Sequence, residues 1–349
     1  MLMKININKK FIKLVAAATA STIALAACSN SDGEAKDSAG AASSATAAKL
    51  NISASFYPIA WLAEEIGGDA IAVSSVTPAN VEPHDFELAP ADVAALDQAD
   101  AVFYVAGFQP SLDDAVANIS GPQIVNLANV VELQPADPAT AHSHQHGNES
   151  EHEAEAADHE AEAADHAGAA EAEHEQSELG LDPHFWLDPR RMKNAADTVA
   201  ATLASLDEAN ASKYQENYNK LASELDSLDR EFIVGLAKCN LDTVVTSHAA
   251  FSYLTNTYNL EQAAISGVDP EAEPTPADLA AVKEVVQATG TTTVFTEELV
   301  SPKTAEALAA ETGASTAVLS PIESAPEAGD YLAAMRANLA ALRTALQCE

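Results

Sequence analysis

The sequence predicts an α/β fold of two domains, each with a mainly parallel sheet flanked by helices, joined by one long rigid helix. Three observations predict it. From residue 49 onward, short β-rich runs alternate with helical runs, which is the pattern of βαβ units. The alternation breaks off, then resumes after residue 239. Between the halves, Tyr214, Tyr218, Leu221, Leu225, Leu228 and Phe232 are spaced four, three, four, three and four residues apart, one continuous apolar stripe on a helix.

Taken in order, residues 50–55 read as a strand. Pro58 opens a helix over 58–66, which Gly67 and Gly68 end. A strand follows over 70–76, then a loop over 77–87. Pro90 opens a helix over 90–99 with Val93 and Leu96 facing inward. A strand over 101–105, a helix over 110–119 and a strand over 123–127 complete the first alternation. Residues 189–206 read as one helix and 207–237 as the long second one. At 1.5 Å per residue the latter spans roughly 45 Å, enough to run along two domains. The second half repeats the scheme: strands over 243–246, 261–265, 292–295 and 316–319, and helices over 249–258, 276–288, 302–312 and 328–346. The expected division is 1–27 leader, 28–48 tether, 49–206 first domain, 207–238 connecting helix and 239–349 second domain.

The 349 residues carry a formal net charge of −36. No lysine or arginine occurs between Lys49 and Arg190, and residues 149–178 hold twelve acidic side chains. Such a balance argues against nucleic acid or an anionic membrane surface as partner and is compatible with cations.

The N-terminus has a basic region (Lys4, Lys9, Lys10, Lys13), then a short apolar run over 14–27 ending Leu-Ala-Ala before Cys28. That reads as a secretion signal with a lipoprotein-type cleavage site, Cys28 being the lipidated residue. A transmembrane anchor is the competing reading, but fourteen residues fall short of the roughly 20 needed to span a bilayer. Residues 29–48 form a Ser/Ala/Gly/Asp tether with nothing to bury. The expected location is outside the cytoplasm on a lipid anchor, either periplasmic or at the outer cell surface. Cys239 and Cys348 then read most simply as a disulfide, with a thiolate metal pair as the alternative.

The tract over 135–178 contains His142, His144, His146, His152, His159, His166 and His174 among alanine and acidic residues. It carries a literal repeat, HEAEAAD at 152–158 and again at 159–165, and no Leu, Ile, Val or aromatic residue between Ala136 and Ser177. It has too little to bury to order itself. Its alternating His, Glu and Asp offer weak metal ligands that would raise local metal concentration; a solvated acidic spacer is the plainer alternative.

Only His84, His184 and His248 remain elsewhere. His84 lies beyond a strand, in VEPHDFEL, and His248 directly follows one, in TSHAAF. Glu323 follows another, in LSPIES. Ligands of open α/β sheets bind outside the carboxyl ends of strands. His184 sits in DPHFWLDP, between two prolines and beside Phe185 and Trp186. Two imidazoles from the first half, with His248 and Glu323 from the second, would make a four-coordinate N/O site suited to Zn²⁺. Asp85 and Glu87 are near enough in sequence to accept from an imidazole N–H. Spacings of 100 and 64 residues between the histidines do not establish a site, and from spacing alone three separate surface or hydrogen-bonded histidines are the simpler reading. Neither Cys-x-x-Cys nor His-Glu-x-x-His occurs.

At VEPHDFELAPAD, DPHFWLDP, VVTSHAAFSYL and VLSPIES the chain resembles the metal-binding lipoproteins of ABC transporters, specifically the zinc-uptake solute-binding proteins of the long-helix class (cluster A-I). The likeness covers nearly all of residues 49–348. It implies that His84, His184, His248 and Glu323 are metal ligands. Manganese members of the family typically have a glutamate in place of His248 and an aspartate in place of Glu323, so the resemblance is to the zinc branch. It also implies a charged histidine-rich loop, a rigid connecting helix and, in some members, a cysteine link near the C-terminus. The expected function is extracytoplasmic zinc binding and delivery of Zn²⁺ to an ABC permease, by a monomer, without enzymatic activity. The energy would come from the permease's ATPase, since no Gly-x-x-x-x-Gly-Lys loop occurs here. Three alternatives stay open: a manganese or iron carrier on the same scaffold, a surface adhesin or metal buffer, and a zinc hydrolase with Glu323 as general base.

Overall fold

A computed structural model describes residues 49–136 and 180–349. The expected signal, lipidation at Cys28, the tether and the seven clustered histidines all lie outside the described residues. The first half runs β1 (Leu50–Ala54), α1 (Tyr57–Gly67), β2 (Ile71–Ser75), α2 (Pro90–Leu96), β3 (Ala101–Tyr104), α3 (Pro110–Asn118), β4 (Gln123–Asn126) and α4 (Ala128–Val131). Two helices follow, α5 (Pro189–Leu206) and the 25-residue α6 (Ala211–Gly235). The second half runs β5 (Thr243–Thr246), α7 (Ser252–Thr257), β6 (Glu261–Ala264), α8 (Pro276–Thr289), β7 (Thr293–Thr296), α9 (Lys303–Thr312), β8 (Ser315–Val318) and α10 (Tyr331–Ala345).

Each half forms a four-stranded sheet in which every pairing is parallel. The strand orders are β2-β1-β3-β4 and β6-β5-β7-β8, the same arrangement used twice. In each sheet the order reverses at the first strand, so β1 and β5 mark the switch points, where a crevice opens beyond the carboxyl ends.

The stripe on α6 is the reason the halves cohere. Tyr214, Leu221, Leu225, Leu228 and Phe232 are buried. The helix packs on α1 and α5 from the first half and on α10 from the second. The main core cluster therefore runs without interruption from Ile52, Phe56 and Leu62 through Leu225 and Phe232 to Met335 and Leu342. Truncating a side chain such as Phe232 to alanine should cost about 3–5 kcal/mol. Cys239 and Cys348 form a disulfide across 109 residues, tying the end of this connection to the last turn of the chain.

Some elements differ from expectation for local reasons. The helix expected over 249–258 is only Ser252–Thr257, because the chain stays open after β5 while the Ala249 amide bonds to the Gly267 carbonyl at 2.9 Å. The long helix starts at Ala211 instead of 207. The Asp207 carboxylate accepts from Asn210 Nδ2 at 2.6 Å and from the Tyr214 hydroxyl at 2.9 Å, which holds a tight 3-10 turn over Glu208–Asn210. The four-residue α4 is too short to show a period in sequence. Gly290, at φ 72°, ends α8 in the left-handed region where a Cβ would be strained. Among the described residues no helix is long and apolar enough to cross a membrane.

Candidate metal centre

His84 stands in a tight turn after β2. The Glu82 carboxylate accepts from the His84 amide at 3.1 Å and from the Asp85 amide at 3.3 Å. Burial pushes the Glu82 carboxyl up to about 7. Gln109 Nε2 donates to the Pro83 carbonyl at 3.2 Å, and the His84 ring meets the Phe108 ring edge-on at a centroid distance of 4.5 Å.

His184 is placed by the segment Asp182–Pro189. One oxygen of Asp182 accepts from both the His184 amide, at 2.9 Å, and the imidazole Nδ1, at 2.8 Å. Asp182 is fixed in turn. Its amide donates to the Gln134 carbonyl at 2.9 Å, and its carbonyl accepts from the Tyr253 hydroxyl at 2.7 Å. The bridge between Pro135 and Leu181 therefore brings residues 134–136 and 180–182 side by side directly beneath the site.

His248 follows β5 at the switch point of the second sheet. Glu297 directly follows the neighbouring strand β7. It accepts from the His248 amide at 3.1 Å and from Nδ1 at 2.6 Å. The His248 carbonyl is held by Thr246 Oγ1 at 2.7 Å and Gln262 Nε2 at 3.1 Å. Glu323 lies five residues beyond β8, in a turn whose Pro321 carbonyl accepts from Trp186 Nε1 at 2.7 Å.

These four side chains converge. His184 Nε2 is 3.3 Å from His84 Nε2 and 3.4 Å from His248 Nε2. Glu323 Oε1 is 3.5 Å from the Nε2 atoms of His84 and His184 and 3.7 Å from that of His248. All four residues are buried. A regular tetrahedron of edge ~3.4 Å has its centre about 2.1 Å from each corner, the length of a Zn–N or Zn–O bond. Asp182 and Glu297 can only accept at Nδ1, so those nitrogens carry protons in His184 and His248, and a ring that gives up its second proton turns an Nε2 lone pair inward. Glu323 Oε1 has no hydrogen-bond partner among the described residues. Three nitrogens and a carboxylate oxygen aimed at one buried point are stabilised by a cation there.

Titration of the cluster reflects the same crowding. Burial would raise the Glu323 carboxyl, but the His184 and His84 imidazoles 3.5 Å away override it and hold the group well below the ordinary carboxylate range. Burial would lower His184, yet Asp182 and Glu323 bring it up to about 9. His248 is raised against burial by the charge of Glu297, while burial prevails at His84 and lowers it. A cavity of about 810 Å³ opens beside Glu323, with Asn80, Glu298, Ser324 and Glu327 in its walls.

Two sequence expectations need correcting. Asp85 and Glu87 are exposed, and the carboxylates that meet the Nδ1 atoms of His184 and His248 are Asp182 and Glu297. The turn capped by Glu82 carries Asp85 outward, so nearness in sequence did not become nearness in space. A signal for each true partner existed. Glu297 follows a predicted strand just as His248 does, and Asp182 stands two residues before His184.

The family model described as zinc-uptake complex component A, periplasmic (ZnuA), matches residues 52–345. The zinc-binding lipoprotein AdcA of Streptococcus pneumoniae strain R6 is 31% identical over 304 residues, 84% of this chain and 55% of that protein. This chain thus spans little more than half the length of that relative. The high-affinity zinc uptake system protein ZnuA of Bacillus subtilis is 30% identical over 307 residues, 85% of this chain and 88% of that protein. Among solved structures, the Zn(II)-bound ZnuA-like domain of Streptococcus pneumoniae AdcA aligns with TM-score 0.65 at 27% identity, covering 86% of this chain and 99% of that one. The laminin-binding protein Lmb of Streptococcus agalactiae, a bifunctional protein with adhesin and metal transporting activity, aligns with TM-score 0.70 at 28% identity, covering 85% and 99%. The twice-used parallel sheet, the long helix and the match over residues 52–345 agree, and the chain belongs to the ZnuA family of zinc-uptake component A proteins.

Proposed function

We infer that this protein binds one Zn²⁺ between its two halves, through His84, His184, His248 and Glu323, and delivers it to the permease of an ABC transporter. The observation that carries this reading is the buried Glu323 Oε1, without a hydrogen-bond partner among the described residues and 3.5 to 3.7 Å from three imidazole nitrogens. Three imidazoles with one carboxylate suit zinc better than manganese, which favours more oxygen ligands. Four protein ligands fill a tetrahedron, so no coordination position remains for a hydrolytic water; this favours a carrier over a hydrolase. The zinc uptake named for the Bacillus subtilis relative supports the same substrate.

The domain division 49–206, 207–238 and 239–349 fits this reading, with two ligands on either side of α6. The continuous core along α6 disfavours a wide hinge, so release would proceed by local movement of the ligand loops. The protein would act as a monomer outside the cytoplasm, anchored through lipidated Cys28, and the histidines over 142–174 would capture zinc weakly near the site. The solved adhesin-like neighbour favours laminin binding as a second reading.

The deciding experiment is metal titration of chelator-stripped protein. One tight Zn²⁺ per chain, not displaced by excess Mn²⁺ and abolished in Glu323→Ala and His184→Ala, is the expected result. Equal affinity for both metals would replace zinc with manganese in this reading. Tight zinc retained by Glu323→Ala, with a hydrolytic activity lost, would move it to the hydrolase.

A further inference from the structure

The turn that carries Glu323 holds an unusual backbone. Ile322 has φ 58°. Of the five non-glycine residues with positive φ among the described residues, it is the one that is β-branched. A side chain there crowds the following carbonyl, and a β-branched one does so most. Ile322 is also only 1% exposed, so it cannot swing outward to relieve the crowding.

Such a conformation persists only where its surroundings over-determine it. Here protein contacts hold it from both flanks, and a zinc ion on Glu323 would add the remaining hold. Before Ile322, the Ser320 amide donates to Asn338 Oδ1 at 2.9 Å, and Asn338 Nδ2 donates to the Ser320 carbonyl at 2.7 Å. The Ile322 amide donates to Ser320 Oγ at 3.2 Å. The Pro321 carbonyl accepts from the buried indole of Trp186, two residues past His184. After Glu323, Ser324 Oγ accepts from the Asn80 amide at 2.8 Å. Trp186 itself is immobilised. Its ring packs on Phe56, Phe108 and His184 at 4.7, 5.1 and 5.1 Å, and its carbonyl accepts from the Tyr331 hydroxyl.

We propose that Ile322 and Trp186 are positioning residues that set zinc affinity. Ile322 keeps the Glu323 carboxylate on a strained backbone, and the Trp186 indole latches that turn to the segment bearing His184. Loaded zinc and the latch together hold the strained form. When zinc leaves, the turn relaxes, so the strain lowers affinity and speeds release. This rests on the reading of Glu323 as a zinc ligand.

The test uses the full chain, Zn²⁺ and a chromophoric chelator, with affinity by competition and release by stopped flow into excess EDTA. Ile322→Ala and Ile322→Gly both delete the buried side chain, but only glycine removes the left-handed penalty. The glycine variant should bind zinc roughly five-fold tighter than the alanine variant, equivalent to about 1 kcal/mol, and release it correspondingly more slowly. Equal affinities would overturn the strain. Trp186→Phe keeps an aromatic ring and loses the N–H; it should weaken binding several-fold through faster release, and an unchanged release rate would overturn the latch even if truncation at 322 prevented folding. Glu323→Ala serves as the control. If it binds zinc as tightly as the native chain, the ligand reading itself fails; if it loses zinc while the two Ile322 variants match, the strain proposal fails by itself.

Discussion

Glu297 Oε2 lies 2.6 Å from His248 Nδ1, although 49 residues separate the two. They meet because β5 and β7 are neighbours in the sheet and both point their carboxyl ends at the crevice. The contact places the Nδ1 proton on the carboxylate side and turns Nε2 toward His184 and Glu323. Glu297→Ala should therefore weaken zinc binding by about 10–100-fold while Glu323 and all three histidines stay in place. Competition titration measures the loss. An unchanged affinity would show that His248 is oriented without the carboxylate.

The Tyr253 hydroxyl reaches across from α7 to the first half. It accepts from the Gln134 amide and donates to the Asp182 carbonyl, both at 2.7 Å. Tyr253→Phe leaves both partners wanting, at a cost of about 1–3 kcal/mol in urea unfolding. Zinc affinity should also fall, since Asp182 orients His184.

The disulfide closes a loop of 109 residues. Chain entropy puts its contribution at about 4–5 kcal/mol. Cys239→Ser should lower stability by that order, and loading of one zinc should persist, because neither cysteine belongs to the four-residue cluster. Loss of zinc binding in the folded variant would contradict this.

Asp207 is held below its ordinary value of 3.8 by bonds from Asn210 and Tyr214. A depressed carboxyl stabilises the fold fully above its unfolded value, and the gain is lost as pH falls through the folded one. Asp207→Ala should be less stable than the native chain near pH 7, and the two should converge as pH falls well below 3.8. Urea midpoints at both values decide it. A constant difference would assign the effect to packing.

Residues 134–136 and 180–182 are paired through the Pro135–Leu181 bridge. Deleting 141–176 keeps this pairing, so one tight zinc should remain while weaker additional binding disappears in calorimetry. Unchanged total zinc would exclude the histidine-rich tract as a capture element. In contrast, His184→Ala should lose the tight site and keep the weak one.

Much of this protein was legible in the chain itself. Alternating β-rich and helical runs determined two parallel α/β halves, because hydrophobic period and proline or glycine stops are local properties. The stripe from Tyr214 to Phe232 determined the long helix for the same reason. Once the low-complexity histidines were set apart, His84, His184, His248 and Glu323 stood out as the residues beside ordered elements. Only the tertiary structure decided that their four donor atoms all lie within 4.8 Å of one another, and that Asp182 and Glu297, not Asp85 and Glu87, hold the His184 and His248 imidazoles. The left-handed turn at Ile322 was likewise invisible, since nothing in an isoleucine codon position favours positive φ. Strand order and loop packing bring distant residues together, and those depend on the whole core folding at once.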